Sequence, residues 1–272
     1  MTAIVIDCLR WEVRDQGAGQ PVLLLHGFTG RGAAWGAYPR LLRTSWRTIV
    51  VDLPGHGRTA SGEPWRITIE RTADDLAEML ERLGASPAAV VGYSLGARVA
   101  LRLAVAHSEV VARIVLESPS AGIPTAAERI ARRDADEALA GRLERDGIEA
   151  FVTEWEAQSI FASHASLSGR RAARIRSIRL SNRAEGLAAS LRGAGMSRME
   201  PLLDRLAEIG APTLVVAGAL DTIGCARARV IARGIPGARL EIVDGAGHTP
   251  HEERPADFRR LILDFLQQEH AA

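Results

Sequence analysis

The chain has 272 residues, 47% hydrophobic and 25% charged, with a formal net charge of +1. That length favours a single α/β domain carrying an insertion, large enough to bury a core without disulfides or metals. Near-neutrality leaves no global field to draw in nucleic acid or an anionic membrane, so any preference for anions must be local.

The N-terminal stretch "MTAIVIDCLRWEVRD" carries Asp7 and Arg10 within its apolar residues and so lacks the continuous apolar core of a signal peptide. No run approaches the roughly 18 apolar residues of a membrane span. Cys8 and Cys225 are far apart and in no ligand-like spacing, which indicates neither a zinc site nor a disulfide framework. The expectation is a soluble cytoplasmic protein with no membrane insertion, no nucleic-acid partner and no obligate protein partner.

Short β-branched runs then recur: "PVLLLHG" at 21–27, "RTIVVDLPG" at 47–55, "AAVVGYS" at 88–94 and "VARIVLESP" at 111–119. Continuous apolar runs bounded by Gly and Pro read as parallel strands buried on both faces. Between them, "TADDLAEMLERLG" and "ARVALRLAVAHS" have helical spacing with Gly or polar ends. From about 120 to 205 the rhythm breaks, and "TAAERIARRDADEALAGRLERDG", "IEAFVTEWEAQSIF", "GRRAARIRSIRLSN" and "EGLAASLRG" all read as helices. Strands resume with "PTLVVAG" at 212–218 and "ARLEIVDGAG" at 238–247. The pattern predicts an α/β core over 1–119 and 206–272, with 120–205 as a helical cap over the strands' C-terminal ends, where open α/β sheets bind ligands.

Residues 92–96, "GYSLG", fit the G-x-S-x-G nucleophile elbow, following an apolar strand and preceding a helix. A serine hydroxyl needs a base, and the base an orienting acid. Asp221 lies just past the strand in "LVVAGALDTIG", and His248 in the Gly-rich loop of "EIVDGAGHTPHEERP". The chain order Ser94, Asp221, His248 suits this arrangement. Plainer readings exist: Asp221 as a helix cap, His251 as the base, and Asp244 or Glu117 as the acid. The glycine turn before His248 favours it as the residue reaching back over the serine. The oxyanion hole is expected from the backbone N–H of Leu95 and of Phe28 in "LLLHGFTG", a loop ordered by His26; "VDLPGHGRTA" reads as structural.

Together "HGFTG", "VDLPGHG", "VGYSLGARVAL", "GALD" and "GAGH" resemble the α/β-hydrolase family over almost the whole chain. The resemblance implies a mostly parallel sheet with helices on both faces and a helical cap inserted after the sixth strand. Within that family, "AERIARRDAD", "EWEAQSIFAS" and "RLSNRAEGLAASLRG" resemble the synthases of menaquinone biosynthesis that form 2-succinyl-6-hydroxy-2,4-cyclohexadiene-1-carboxylate. That resemblance implies a lyase removing pyruvate from a polycarboxylate substrate, with neither cofactor nor metal. It also implies carboxylate-holding roles for Arg98, Arg132 and Arg179 and binding roles for Tyr93 and Trp155. Arg129, Arg133, Arg170, Arg171, Arg174 and Arg176 read as solvated surface, with Arg129 the alternative to Arg132 if the register is one off. All 34 basic residues are arginine, which coding bias explains most simply. The chain departs from the synthase pattern in "AGMSRMEPLLDRL" after "LRG" and in "TIG" after Asp221. Ser94 or His248 would take the substrate proton, the first if His248 and Asp221 raise its basicity.

Overall fold

A computed structural model describes residues 2–268. Met1 and residues 269–272, which the expected core includes, lie outside the described residues. One eight-stranded sheet is built from β1 (Thr2–Ile6), β2 (Leu9–Gln16), β3 (Pro21–Leu25), β4 (Arg47–Val51), β5 (Ala88–Tyr93), β6 (Val111–Glu117), β7 (Thr213–Gly218) and β8 (Arg239–Val243). Its order is β1-β2-β4-β3-β5-β6-β7-β8. Strands β3 to β8 pair in parallel, whereas β1 with β2 and β2 with β4 are antiparallel.

The parallel strands occupy the apolar runs named above because both of their faces are covered. In β3, Leu23 and Leu25 enter one core while Val22 and Leu24 enter the other, as side chains alternate across a strand. The helices are α1 (Tyr38–Leu42), α2 (Ile69–Arg82), α3 (Leu95–Ala106), α4 (Ala126–Glu156), α5 (Gly169–Leu180), α6 (Ala184–Ala194), α7 (Thr222–Gly234), α8 (Pro250–Glu253) and α9 (Pro255–Gln267). Leu76 of α2, Leu101 of α3 and Ile231 of α7 fill the first core; Leu42 of α1 and Phe258 and Phe265 of α9 fill the second. The antiparallel pair β1 and β2 was not among the expected strands. In β2, Leu9, Trp11 and Val13 alternate inward between more exposed neighbours, a half-buried pattern that a search for continuous apolar runs passes over.

Helices α4, α5 and α6 fall between β6 and β7. Leu143, Phe151 and Val152 of α4 pack against Leu187 and Leu191 of α6 in a core of their own. The sequence predicts two helices across 125–161; α4 covers the first and the second as far as Glu156, with a break at Gly147, whose φ of 81° is open to glycine without steric cost, and a 3-10 segment follows at Ser159–Ser166. Thr125 caps α4, accepting from the Glu128 N–H.

Candidate active site

Strand β5 ends in a turn that only small flanking residues permit. A Cβ at Gly92 would lie 2.4 Å from the Gly96 carbonyl oxygen, and one at Gly96 would lie 2.1 Å from that of Leu25. Ser94 at the tip is held at φ 50°, ψ −102°, outside the regions an L residue normally adopts. Its N–H donates to the Glu117 carbonyl at 2.9 Å, and its own carbonyl accepts from the Arg98 N–H at 3.1 Å.

The loop after β8 brings His248 over this turn, with Nε2 3.1 Å from Ser94 Oγ and Nδ1 2.7 Å from Asp221 Oδ2. A carboxylate can only accept, so Nδ1 carries the proton, Nε2 is the acceptor and the Ser94 hydroxyl donates to it. Asp221 divides its oxygens, because Oδ1 accepts from the Gly224 N–H at 2.7 Å as the cap of α7. Burial works to raise the Asp221 pKa, but the hydrogen bonds from His248 and Gly224 outweigh it and hold the carboxyl below its ordinary value. The helix-cap and triad readings of Asp221 therefore describe the same side chain.

Among the described residues no hydrogen bond takes up the N–H of Phe28 or of Leu95. His26 orders the loop bearing Phe28: Nδ1 contacts the Gly27 carbonyl at 2.8 Å and Nε2 accepts from the Leu53 N–H at 2.9 Å. Burial lowers its pKa, which keeps the ring neutral for that double role. In the second Gly-Pro loop, Asp52 accepts from the N–H groups of Gly32 and Arg58, a structural task.

The other candidates for base and acid lie elsewhere. His251 is buried against Glu117, with Nδ1 2.9 Å from Oε1, and Asp244 is exposed. Burial works to lower the His251 pKa, but the Glu117 carboxylate outweighs it and raises the value.

Ser94, Leu95, Phe28 and His248 open into a cavity of about 460 Å³ between the sheet and the cap. Tyr93, Arg98, Arg132 and Trp155 also line it. Arg98 is buried, donating from Nη1 to the Ala194 carbonyl at 2.8 Å. Its pKa is pushed down to about 10, first by burial and then by the neighbouring Arg132 charge, so it remains a cation at neutral pH. Arg132 donates to Asp136 Oδ1 at 2.8 Å, whereas Arg129 turns to the carbonyls of Ile123 and Pro124 and does not line the cavity. Trp155 stacks on Phe151 and meets Phe28 edge-on at 5.2 Å between centroids; its indole N–H is buried with no partner among the described residues.

Arg179 stands apart from this group. Its guanidinium lies 4.7 Å over the Phe161 ring and donates to Glu156 Oε1 at 3.0 Å. It lines a smaller cavity of about 50 Å³ on the far side of Phe161 and Tyr93 rather than the one that Ser94 enters. Conversely, Arg227 of α7, Arg142 paired with Glu154, and Met196 line the Ser94 cavity although sequence reasoning did not single them out. Arg227 follows Asp221 by six positions, a spacing that shows which side of α7 it occupies only once the helix has been docked. The departure at "TIG" packs against Asp221: a Cβ at Gly224 would fall 2.3 Å from Asp221 Oδ2. Among the described residues no group of three or more His, Cys, Asp and Glu side chains could hold a metal ion.

Residues 22–261 match the model of the Alpha/beta hydrolase family. The chain is 39% identical over 265 residues to a Bacillus subtilis (strain 168) protein named "Putative 2-succinyl-6-hydroxy-2,4-cyclohexadiene-1-carboxylate synthase", covering 96% of each chain. It superposes on the structure of MenH from S. aureus with a TM-score of 0.89 and 32% identity, covering 94% of this chain and 97% of that one. A thermophilic esterase from Thermogutta terrifontis, in a malate-bound structure, superposes with a TM-score of 0.83 and 30% identity, covering 95% of this chain and 93% of that one.

Proposed function

The chain belongs to the alpha/beta hydrolase family, and from that premise we propose that it is a carbon–oxygen lyase of menaquinone biosynthesis. Its substrate in this reading is 2-succinyl-5-enolpyruvyl-6-hydroxy-3-cyclohexene-1-carboxylate, from which it eliminates pyruvate to leave 2-succinyl-6-hydroxy-2,4-cyclohexadiene-1-carboxylate. Residues 1–119 and 206–272 serve as the catalytic core, and 120–205 close over it as a lid. The observation that carries the proposal is the buried Arg98 guanidinium in the cavity of Ser94, with Arg132 beside it. A neutral ester gives no return for desolvating a cation there, whereas a substrate carboxylate does. The synthase name of a relative 39% identical over nearly the whole chain supports the same reading.

In the proposed mechanism His248, oriented by Asp221, accepts the Ser94 proton as Ser94 Oγ takes a proton from a substrate ring carbon. The electrons of that C–H bond pass through the succinyl ketone as an enolate, which the N–H groups of Phe28 and Leu95 stabilise. Collapse of the enolate through the ring double bond breaks the ring carbon–oxygen bond to the enolpyruvyl group; pyruvate is expelled as its enolate, which takes up the proton from His248 and so returns Ser94 and His248 to their starting states. Arg98 and Arg132 hold substrate carboxylates by charge-assisted hydrogen bonds, and Tyr93 and Trp155 shape the walls around the ring. Arg179 joins this set in the proposal only when Phe161 turns aside.

The test is pyruvate release from substrate generated in situ by the preceding enzyme of the pathway, corrected for spontaneous loss. Acceleration in wild type that disappears in Ser94→Ala supports the lyase. A second reading is a carboxylesterase or carbon–carbon bond hydrolase acting on an anionic substrate, favoured by the likeness to the malate-bound esterase structure. Rapid turnover of anionic aryl esters without pyruvate release would select it.

A further inference from the structure

The loop that carries His248 has no ladder of its own, lying between β8 and the short α8. Beneath it sits the carboxylate of Glu253, whose side chain is 1% exposed. One oxygen accepts from the Gly247 N–H at 2.7 Å; the other accepts from the Thr249 N–H at 2.9 Å and from the Thr249 hydroxyl at 2.8 Å. These donors flank His248 in sequence on both sides. Burial works to raise the Glu253 pKa, but the N–H groups of Gly247 and Thr249 help outweigh it and hold the group below the ordinary glutamate value.

The same cluster reaches the cap. His164 Nε2 lies 2.7 Å from Thr249 Oγ1. Because the Thr249 hydroxyl gives its proton to Glu253, its oxygen accepts from His164, so Nε2 of that ring carries a proton. A line of hydrogen bonds therefore runs from the cap, through Thr249, to the carboxylate beneath the base.

We propose that Glu253 is a positioning residue for His248 and that His164 makes the setting of the base depend on the cap. The inference rests on the reading of His248 as the base. Glu253 acts through the backbone: by tying both neighbours of His248 to one carboxylate, it fixes the direction in which the imidazole leaves the chain. The Ser118 hydroxyl, donating to the His248 carbonyl at 2.9 Å, holds the third side. Displacing a catalytic group by about 1 Å costs on the order of a hundredfold in rate.

The experiment is the second-order rate constant for phosphonylation of Ser94 by a small fluorophosphonate, which needs His248 but is indifferent to the natural substrate. It is measured on protein whose thermal transition and circular dichroism show it folded. Glu253→Gln keeps an acceptor for Thr249 but turns an amide NH₂ against the Gly247 N–H; the expected loss is roughly ten- to a hundredfold. His164→Ala cuts only the link to the cap, whereas Thr249→Val removes that link together with the hydroxyl's bond to Glu253 and keeps the backbone one; a smaller loss than for Glu253→Gln is expected in both, and they carry the test if Glu253→Gln does not fold. Folded variants that react at the wild-type rate would overturn the proposal. A wild type that does not react at all would overturn the triad and the clamp with it. Wild-type phosphonylation without pyruvate release would sink the lyase reading alone, leaving the clamp to be judged on its variants.

Discussion

The Arg98 guanidinium donates a 2.8 Å hydrogen bond to the carbonyl of Ala194, tying the helix that begins behind Ser94 to the end of the last cap helix. Ala194 is the final residue of α6, so its carbonyl has no partner within the helix and carries the negative end of the helix dipole. Arg98 thus joins α3 to α6 while also lining the cavity of Ser94. Arg98→Ala should lower kcat/KM for pyruvate release roughly ten- to a hundredfold, the worth of a charge-assisted contact of about 1.5–3 kcal/mol. Arg98→Lys, which keeps the charge but not the fork, should fall between. Equal kcat/KM in all three proteins would remove Arg98 from substrate binding.

Gly224 tests how tightly the acid is seated. An added Cβ would lie 2.3 Å from Asp221 Oδ2, so Gly224→Ala must displace the carboxylate that orients His248. We expect kcat to drop about tenfold or more at nearly unchanged KM. Steady-state kinetics decide it; an unchanged kcat would mean that the carboxylate shifts without disturbing His248.

The buried His251 and Glu117 pair links stability to pH. The His251 pKa is raised above its ordinary 6.5 in the folded chain. The stabilisation from protonated His251 is therefore complete below the unfolded value and is lost as pH rises through the folded one. The difference in thermal midpoint between wild type and His251→Gln should shrink across that rise. A difference that stays constant with pH would show that His251 does not change its charge between the two states.

The core of the cap should be separable from the chemistry. Leu143 is fully buried among cap residues, and Leu143→Ala should destabilise that unit by about 2–5 kcal/mol. KM for the proposed polycarboxylate substrate should rise, while phosphonylation of Ser94 by a small reagent should hardly change. Parallel loss of both would show that the cap and the triad unfold together.

The parallel strands, the glycine-flanked turn at Ser94 and the break at Gly147 are legible in the sequence because each follows from local chemistry. A strand covered on both faces must be apolar throughout, and a sharp turn excludes Cβ atoms at Gly92 and Gly96. The antiparallel β1 and β2 were not legible, since their alternation acquires meaning only when β4 is beside them. In sequence the glycine turn alone separates His248 from His251; in the structure His248 reaches Ser94, while His251 faces Glu117.

For the arginines, sequence established abundance and approximate place, and the tertiary structure decided which of them meet the cavity. Arg129 and Arg132 lie on one helix, yet a rotation of less than one turn sends the first to the Ile123 and Pro124 carbonyls and the second to the cavity. Arg179 stacks over Phe161 and lines a different cavity, whereas Arg227 lines that of Ser94. The reason is physical: which way a long side chain points depends on how its helix is rotated and docked, and distant residues such as Leu143, Phe151 and Leu187 set that docking by filling one core.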